Sequence, residues 1–192
     1  MKRRPPWIFI WQKNPVHCGA LASRARVLMK LGEVDAALAD FRASLANCAD
    51  AQPDLVQEVA QAFSSHGQVD EAVGILEAGL KRLGQVPSLQ LKLLEIEVRA
   101  ARYDSALFRI GGYQNAAARR EPWMEKRAII LAQAGKTVES QAAWRALIGH
   151  LKFLPPAERD SHSMLLLSER ARQALVVLAT VKSPDAVFAP PP

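Results

Sequence analysis

One phase recurs along the chain and governs what it can fold into. Gly32, Gly67, Ala101 and Gly135 stand 35, 34 and 34 residues apart. Five residues after each comes a small side chain (Ala37, Ala72, Ala106, Ser140), and four further on a large one (Phe41, Leu76, Ile110, Trp144). Seven residues before each stand Ala25, Ala60, Leu94 and Ala128. A register held four times over about a hundred residues marks an internal repeat of supersecondary units.

Within each period the apolar residues fall at helical spacing. Leu21, Ala25 and Leu28 share a face, as do Val56, Ala60 and Phe63, and Met124, Ala128 and Leu131. β-branched runs are nearly absent, and the abundant Ala, Leu, Arg, Glu and Gln lose little rotamer freedom in a helix. Each unit therefore reads as two antiparallel helices around a tight turn. Glycine at the turn adopts positive φ without penalty. The small residues let helix backbones approach, and the large ones fill the grooves between neighbours. The expected helices are 18–31 and 34–47, 53–66 and 69–83, 87–100 and 103–117, 121–134 and 137–153. Pro53, Pro87 and Pro122 stand near first turns, where a missing N–H costs nothing. Asp54, Ser88 and Glu121 offer acceptors or negative charge at the same places. A last apolar-periodic stretch, from Ala157 to Val181, would close the open end of the stack through Met164, Leu167, Ala171, Ala174, Leu175 and Leu178.

This pattern resembles the tetratricopeptide repeat family over residues 18–153. The first unit reads Leu21, Ala25, Leu28, Gly32, Ala37, Phe41, Leu45, and the second Val56, Ala60, Phe63, Gly67, Ala72, Leu76, Leu80. The third departs from it, with Ala101 for the turn glycine, Leu94 for the small residue and Glu97 for a large apolar one; the fourth has Ser140 for the packing alanine. The resemblance implies an all-α, right-handed superhelix (an α-solenoid) of four helix-turn-helix units plus a C-terminal capping helix. The expected organisation is a basic segment at 1–17, a repeat domain with its cap at 18–181 and a Pro-rich tail at 182–192.

The net charge is +6, but Lys2, Arg3, Arg4 and Lys13 supply four of those charges before residue 18, where there is no acid; the rest of the chain carries only +2. Nucleic-acid binding needs a basic stripe on a folded face, so no nucleic-acid partner is expected. No stretch reaches the roughly 18 apolar residues of a membrane span, so no membrane partner is expected either. The apolar run Trp7-Ile8-Phe9-Ile10-Trp11 is short for a secretory signal. Its mismatch with the regular chain that follows suggests a misplaced start or a truncated leader, which leaves the compartment open: cytoplasmic as written, periplasmic or secreted if a leader is truncated.

Little in the sequence convenes chemistry. His17, His66, His150 and His162 lack metal-ligand spacing, and there is no P-loop, dinucleotide fingerprint or nucleophile elbow. No metal, cofactor or catalytic activity is expected. Gly111-Gly112, inside a helix, reads as a break or a close approach rather than a phosphate cradle. Trp144 reads as a core residue, and Trp7 and Trp11 either pack on the first hairpin or hang free. Cys18 opens the first helix and Cys48 closes the second, which puts them at the same end of an antiparallel hairpin. Two free thiols are the simpler reading, and a disulfide is geometrically conceivable in an oxidising compartment.

The superhelix that the resemblance implies leaves the first helix of each unit lining a concave groove. Positions there that packing does not use include Arg26, Lys30, Gln57, Gln61, Lys92, Arg99 and Gln133. Such amide and basic groups suit a protein or extended-peptide partner, whose backbone needs donors and acceptors and whose acidic side chains need cations. The family's two-carboxylate clamp wants Lys and Asn where this chain has Ala22 and Arg26, and Asn where it has Glu58, so that activity is not carried over. A solvated face without a ligand, and a self-associating module that uses the N-terminal hairpin, are the alternatives.

Overall fold

The computed structural model describes residues 17–48 and 50–180. The basic segment before His17, Trp7 and Trp11 within it, and the Pro-rich tail lie outside these residues. Ten α-helices and no strand occur among the described residues. They are α1 (Cys18–Leu31), α2 (Val34–Ala46), α3 (Pro53–Ser65), α4 (Val69–Leu83), α5 (Pro87–Arg99), α6 (Tyr103–Ala116), α7 (Glu121–Gln133), α8 (Thr137–Lys152), α9 (Pro156–Arg159) and α10 (His162–Thr180).

The corners of the hairpins are built alike. Gly32, Gly67 and Gly135 have φ of 81°, 79° and 75°. At each, two backbone bonds close the preceding helix: Glu33 N–H to Leu28 O with Gly32 N–H to Met29 O, Gln68 to Phe63 with Gly67 to Ser64, and Lys136 to Leu131 with Gly135 to Ala132. This is the Schellman closure, which satisfies carbonyls that a helix end would otherwise orphan. Ala101 takes the same left-handed turn at φ 57°. The residues that open the second helices, Glu33, Gln68, Arg102 and Lys136, share φ between −81° and −86° and ψ between 56° and 65°. Pro53 and Pro87 begin α3 and α5, and Pro122 lies in the first turn of α7.

The positions seven before and five and nine after each corner are all buried, while Leu28, Leu45, Leu80 and Met124 are half-buried. Ala25, Ala60, Ala128, Ala37, Ala72 and Ala106 are fully inaccessible, as are Leu76 and Ile110, while Leu94, Phe41 and Trp144 are nearly so. Ser140, in the place of the packing alanine, is also fully buried, and its Oγ donates to Ala128 O across the hairpin at 2.7 Å. The hydroxyl is tolerated because it finds that carbonyl.

The chain divides into two compact units at Ala100/Ala101, the corner of the third hairpin. The N-terminal unit, with α1 to α5, has a core around Phe63, Leu76, Leu89, Leu93 and Ile96. The C-terminal unit, with α6 to α10, packs Ala128, Trp144, Leu147 and Leu151 against Met164, Leu167 and Ala171 of the closing helix.

Two local expectations are corrected. The closing helix does not run from residue 157. After the single turn α9 it restarts at His162, with Ser161 O accepting the amides of Met164 and Leu165 at 3.1 and 3.0 Å. The Asp160-Ser161 pair supplies residue types that favour helix starts over helix interiors. Gly111 and Gly112 mark neither a break nor a close approach: α6 runs through both, and a Cβ added at either would meet nothing within 4 Å.

Candidate functional site

In the N-terminal unit the first helices α1, α3 and α5 are joined on their outward side by a relay of polar side chains. Arg26 of α1 grips Glu58 of α3 through two hydrogen bonds, Nε to Oε1 and Nη2 to Oε2, both 2.6 Å. One residue earlier on α3, Gln57 Nε2 donates to Ser88 Oγ at the start of α5, at 3.3 Å. A turn further along α3, Gln61 Oε1 accepts from Lys92 Nζ of α5 at 2.9 Å, while its Nε2 donates to Ser65 Oγ at 2.7 Å. Lys92 also reaches Glu95 Oε2 at 3.0 Å, and Glu95 Oε1 accepts from Arg99 Nη2 at 2.7 Å.

Five of the residues expected at the groove (Arg26, Gln57, Gln61, Lys92, Arg99) are thus gathered on three helices of one unit. Lys30 lies exposed one turn beyond Arg26 on α1. Gln133 is exposed at the end of α7, in the other unit. Sequence reasoning missed that Glu58 and Ser88 bridge neighbouring hairpins. The signal was available in the spacing: Arg26 to Glu58, Gln57 to Ser88 and Gln61 to Lys92 are 32, 31 and 31 residues apart, slightly less than one repeat.

The hydrogen bonds that Arg26 donates to Glu58 raise its guanidinium above its ordinary value against the opposing effect of burial. The side chains of Arg26, Glu95 and Arg99 are 49, 46 and 56% exposed, so their ion pairs are open to exchange with an incoming charge. Lys92, at 19%, is the most sheltered cation of the relay.

Elsewhere the N-terminal unit carries a cleft of about 480 Å³ on its second-helix side, lined by Leu45, Val56, Gly74, Ile75 and Ala78, with Arg42 and Glu71 also in its wall. In the C-terminal unit Glu121, 4% exposed, accepts from His150 Nε2 at 2.9 Å. No group of three or more His, Cys, Asp or Glu residues among the described residues could hold a metal ion. No helix among them is long and apolar enough to cross a membrane.

No protein-family model and no curated protein matches the sequence. Solved structures do match. The structure of Naa15/Naa10 bound to HypK superposes on 90% of this chain with a TM-score of 0.56 at 17% identity; the chain spans only 30% of that one. YrrB, described as a tetratricopeptide repeat protein with an unusual peptide-binding site, matches over 91% of this chain and 96% of its own, with a TM-score of 0.51 at 16% identity. MamA matches over 91% and 98%, with a TM-score of 0.51 at 11% identity. Together with the four equivalent corners, these likenesses establish that the chain has the tetratricopeptide-repeat fold.

Proposed function

We propose that the chain is a non-catalytic protein-interaction scaffold, and that the outward side of α1, α3 and α5 takes an extended, acidic peptide segment. The observation that carries this reading is the relay itself. Arg26, Lys92 and Arg99 are held in place by Glu58, Gln61 and Glu95, and Lys30 stands exposed beside them. The four cations exceed the two carboxylates of the relay by two, and exposed Asp54, one turn before Glu58 on α3, reduces that excess to one. Exposed ion pairs are worth about 0–1 kcal/mol, so an incoming carboxylate can displace Glu58 or Glu95 at little cost. Cations already fixed by hydrogen bonds lose less side-chain freedom when they bind. Gln57 and Gln61 provide amides for the backbone of an extended segment. The HypK-bound complex and the peptide-binding site ascribed to YrrB lend support to an interaction role for this fold.

The test is titration of fluorescent acidic, neutral and basic peptides by anisotropy, with the triple variant Arg26→Glu, Lys30→Glu, Arg99→Glu beside the unaltered chain. Saturable binding of the acidic peptide is expected. The variant should weaken it roughly tenfold or more, equivalent to at least about 1.4 kcal/mol, with an unchanged helical circular-dichroism spectrum. Equal affinity in both proteins would move the site elsewhere. Preference for the basic peptide would end the reading.

A further inference from the structure

The closing helix presents more apolar surface than a cap requires. On its inner side α10 buries Met164, Leu167 and Ala171. On its outer side Leu165, Leu166, Val176 and Val177 are 55, 47, 65 and 61% exposed. A helix that ends a stack is expected to turn a polar face to solvent, and single exposed apolar residues need no explanation, whereas grouped ones do.

These residues are grouped in two stripes with the same spacing. Leu165, Glu169, Arg172 and Val176 stand at i, i+4, i+7 and i+11, and Leu166, Arg170, Gln173 and Val177 run beside them. The first stripe is complementary to its own reversal: apolar, acidic, basic, apolar becomes apolar, basic, acidic, apolar. A two-fold axis midway between Glu169 and Arg172 would set Leu165 opposite Val176 of a second copy and Glu169 opposite Arg172 of that copy. On the same axis Leu166 and Val177 of the second copy lie two residues out of register, about 3 Å along the helix, still near enough for apolar contact. A parallel pairing would instead oppose Glu169 to Glu169 and Arg172 to Arg172.

The charges are available for such a partner. Glu169 and Arg172 are paired within the helix only loosely, at 3.6 Å, with side chains 54 and 64% exposed; Glu169 Oε1 also accepts from Gln173 Nε2 at 3.0 Å, an exposed bond that an incoming guanidinium can replace. Arg170 in the second stripe is drawn toward α7, where Glu125 accepts from its Nε and Nη2 at 2.9 and 3.2 Å. Its charge is therefore answered within its own copy.

We infer that two copies of the chain associate through α10, packed antiparallel about a two-fold axis, with Leu165 on Val176 and Glu169 on Arg172 in both halves of the contact. Closed two-fold contacts of this self-complementary kind are the commonest way soluble chains pair. One helix face lies at the small end of interface sizes, so the dimer is reversible.

The test is sedimentation velocity of the full chain over a concentration series, with Glu169→Arg, Arg172→Glu and the double exchange alongside it. The unaltered chain should shift from monomer to dimer as concentration rises. Each single reversal should leave a monomer, because it brings like charges together, and the double exchange should restore the dimer. Both residues point to solvent, and circular dichroism verifies that each variant folds. A monomer at every concentration overturns the proposal. So does a dimer indifferent to either single reversal, or one that the double exchange fails to restore. A dimer lost on Leu31→Glu, at the N-terminal hairpin, but kept in the α10 variants would assign self-association to that hairpin and overturn it as well.

Discussion

The sulfur of Cys18 lies 2.8 Å from the sulfur of Cys48, across 30 residues of chain. Cys18 begins α1 and Cys48 follows α2, and the hairpin brings the two half-buried thiols together at its open end. Ser44 Oγ donates to Cys18 O at 2.7 Å, and Arg82 Nη1 of α4 donates to Cys48 O at 3.1 Å, so both backbones are held. The hydrogen bond with Cys18, aided by burial, raises the Cys48 thiol above its usual value.

Incubation with glutathione disulfide should convert this pair to an intramolecular disulfide. The two thiols give up two protons and two electrons, and one glutathione disulfide becomes two glutathione thiols. Thiol titration should fall from two to none with no dimer on non-reducing gels. By the loop-entropy relation the cross-link should stabilise the fold by about 3–4 kcal/mol against urea. Two titratable thiols remaining after oxidation would refute this.

Ala101 holds a left-handed conformation that the other three corners give to glycine. Such a backbone costs a non-glycine residue about 1 kcal/mol or more. Ala101→Gly should therefore raise the unfolding free energy by roughly 1 kcal/mol, although glycine usually weakens a chain. Denaturant unfolding measures it, and a loss of stability would show that the corner is not strained.

Glu121 gives a pH signature. Its burial would raise the carboxyl, but the hydrogen bond with His150, the helix amide, and the charges of His150 and Arg119 outweigh it, and the carboxyl sits below its usual value. A carboxyl depressed in the folded state contributes stability that is complete above its unfolded value of about 4.3 and is lost as pH falls through the lower folded value. Stability should thus decline below about pH 4.3, and Glu121→Gln should flatten that decline. Parallel slopes for the two proteins in acid urea titrations would exclude Glu121 as the source.

The Arg26–Glu58 pair should organise rather than stabilise. Its side chains are 49 and 35% exposed, and pairs of that kind are worth about 0–1 kcal/mol. A double-mutant cycle with Arg26→Ala and Glu58→Ala should return a coupling energy below about 1 kcal/mol. A much larger coupling would make the relay a structural strut and weaken the case for exchange with a ligand.

The fold was legible because its determinants are local and repeated. Gly32, Gly67 and Gly135 announce a conformation that few other residues adopt, and Ala25, Ala60 and Phe41 fall in phase with them. Even Ala101 was placed by register alone. The restart at His162 was less visible, because the apolar phase carries across Asp160-Ser161 while the backbone does not. The candidate face was half legible. Periodicity shows which side of α1, α3 and α5 is left unpacked, but bonds such as Arg26 to Glu58 depend on how successive hairpins are offset, and no single helix encodes that offset. The Glu121–His150 contact was invisible for the same reason, since two residues 29 apart on different helices share no motif.

The matching corner geometry also governs how such a chain can change its size. Because Glu33 and Gln68 leave their turns at nearly the same angles, the backbone just after Gly32 is interchangeable with the backbone just after Gly67. A gene that duplicates or deletes the stretch between those two points joins like to like, with no new bend to invent. Growth and shortening by whole modules are therefore the edits this architecture accepts most readily, whereas a cut a few residues away would throw every later side chain off its face.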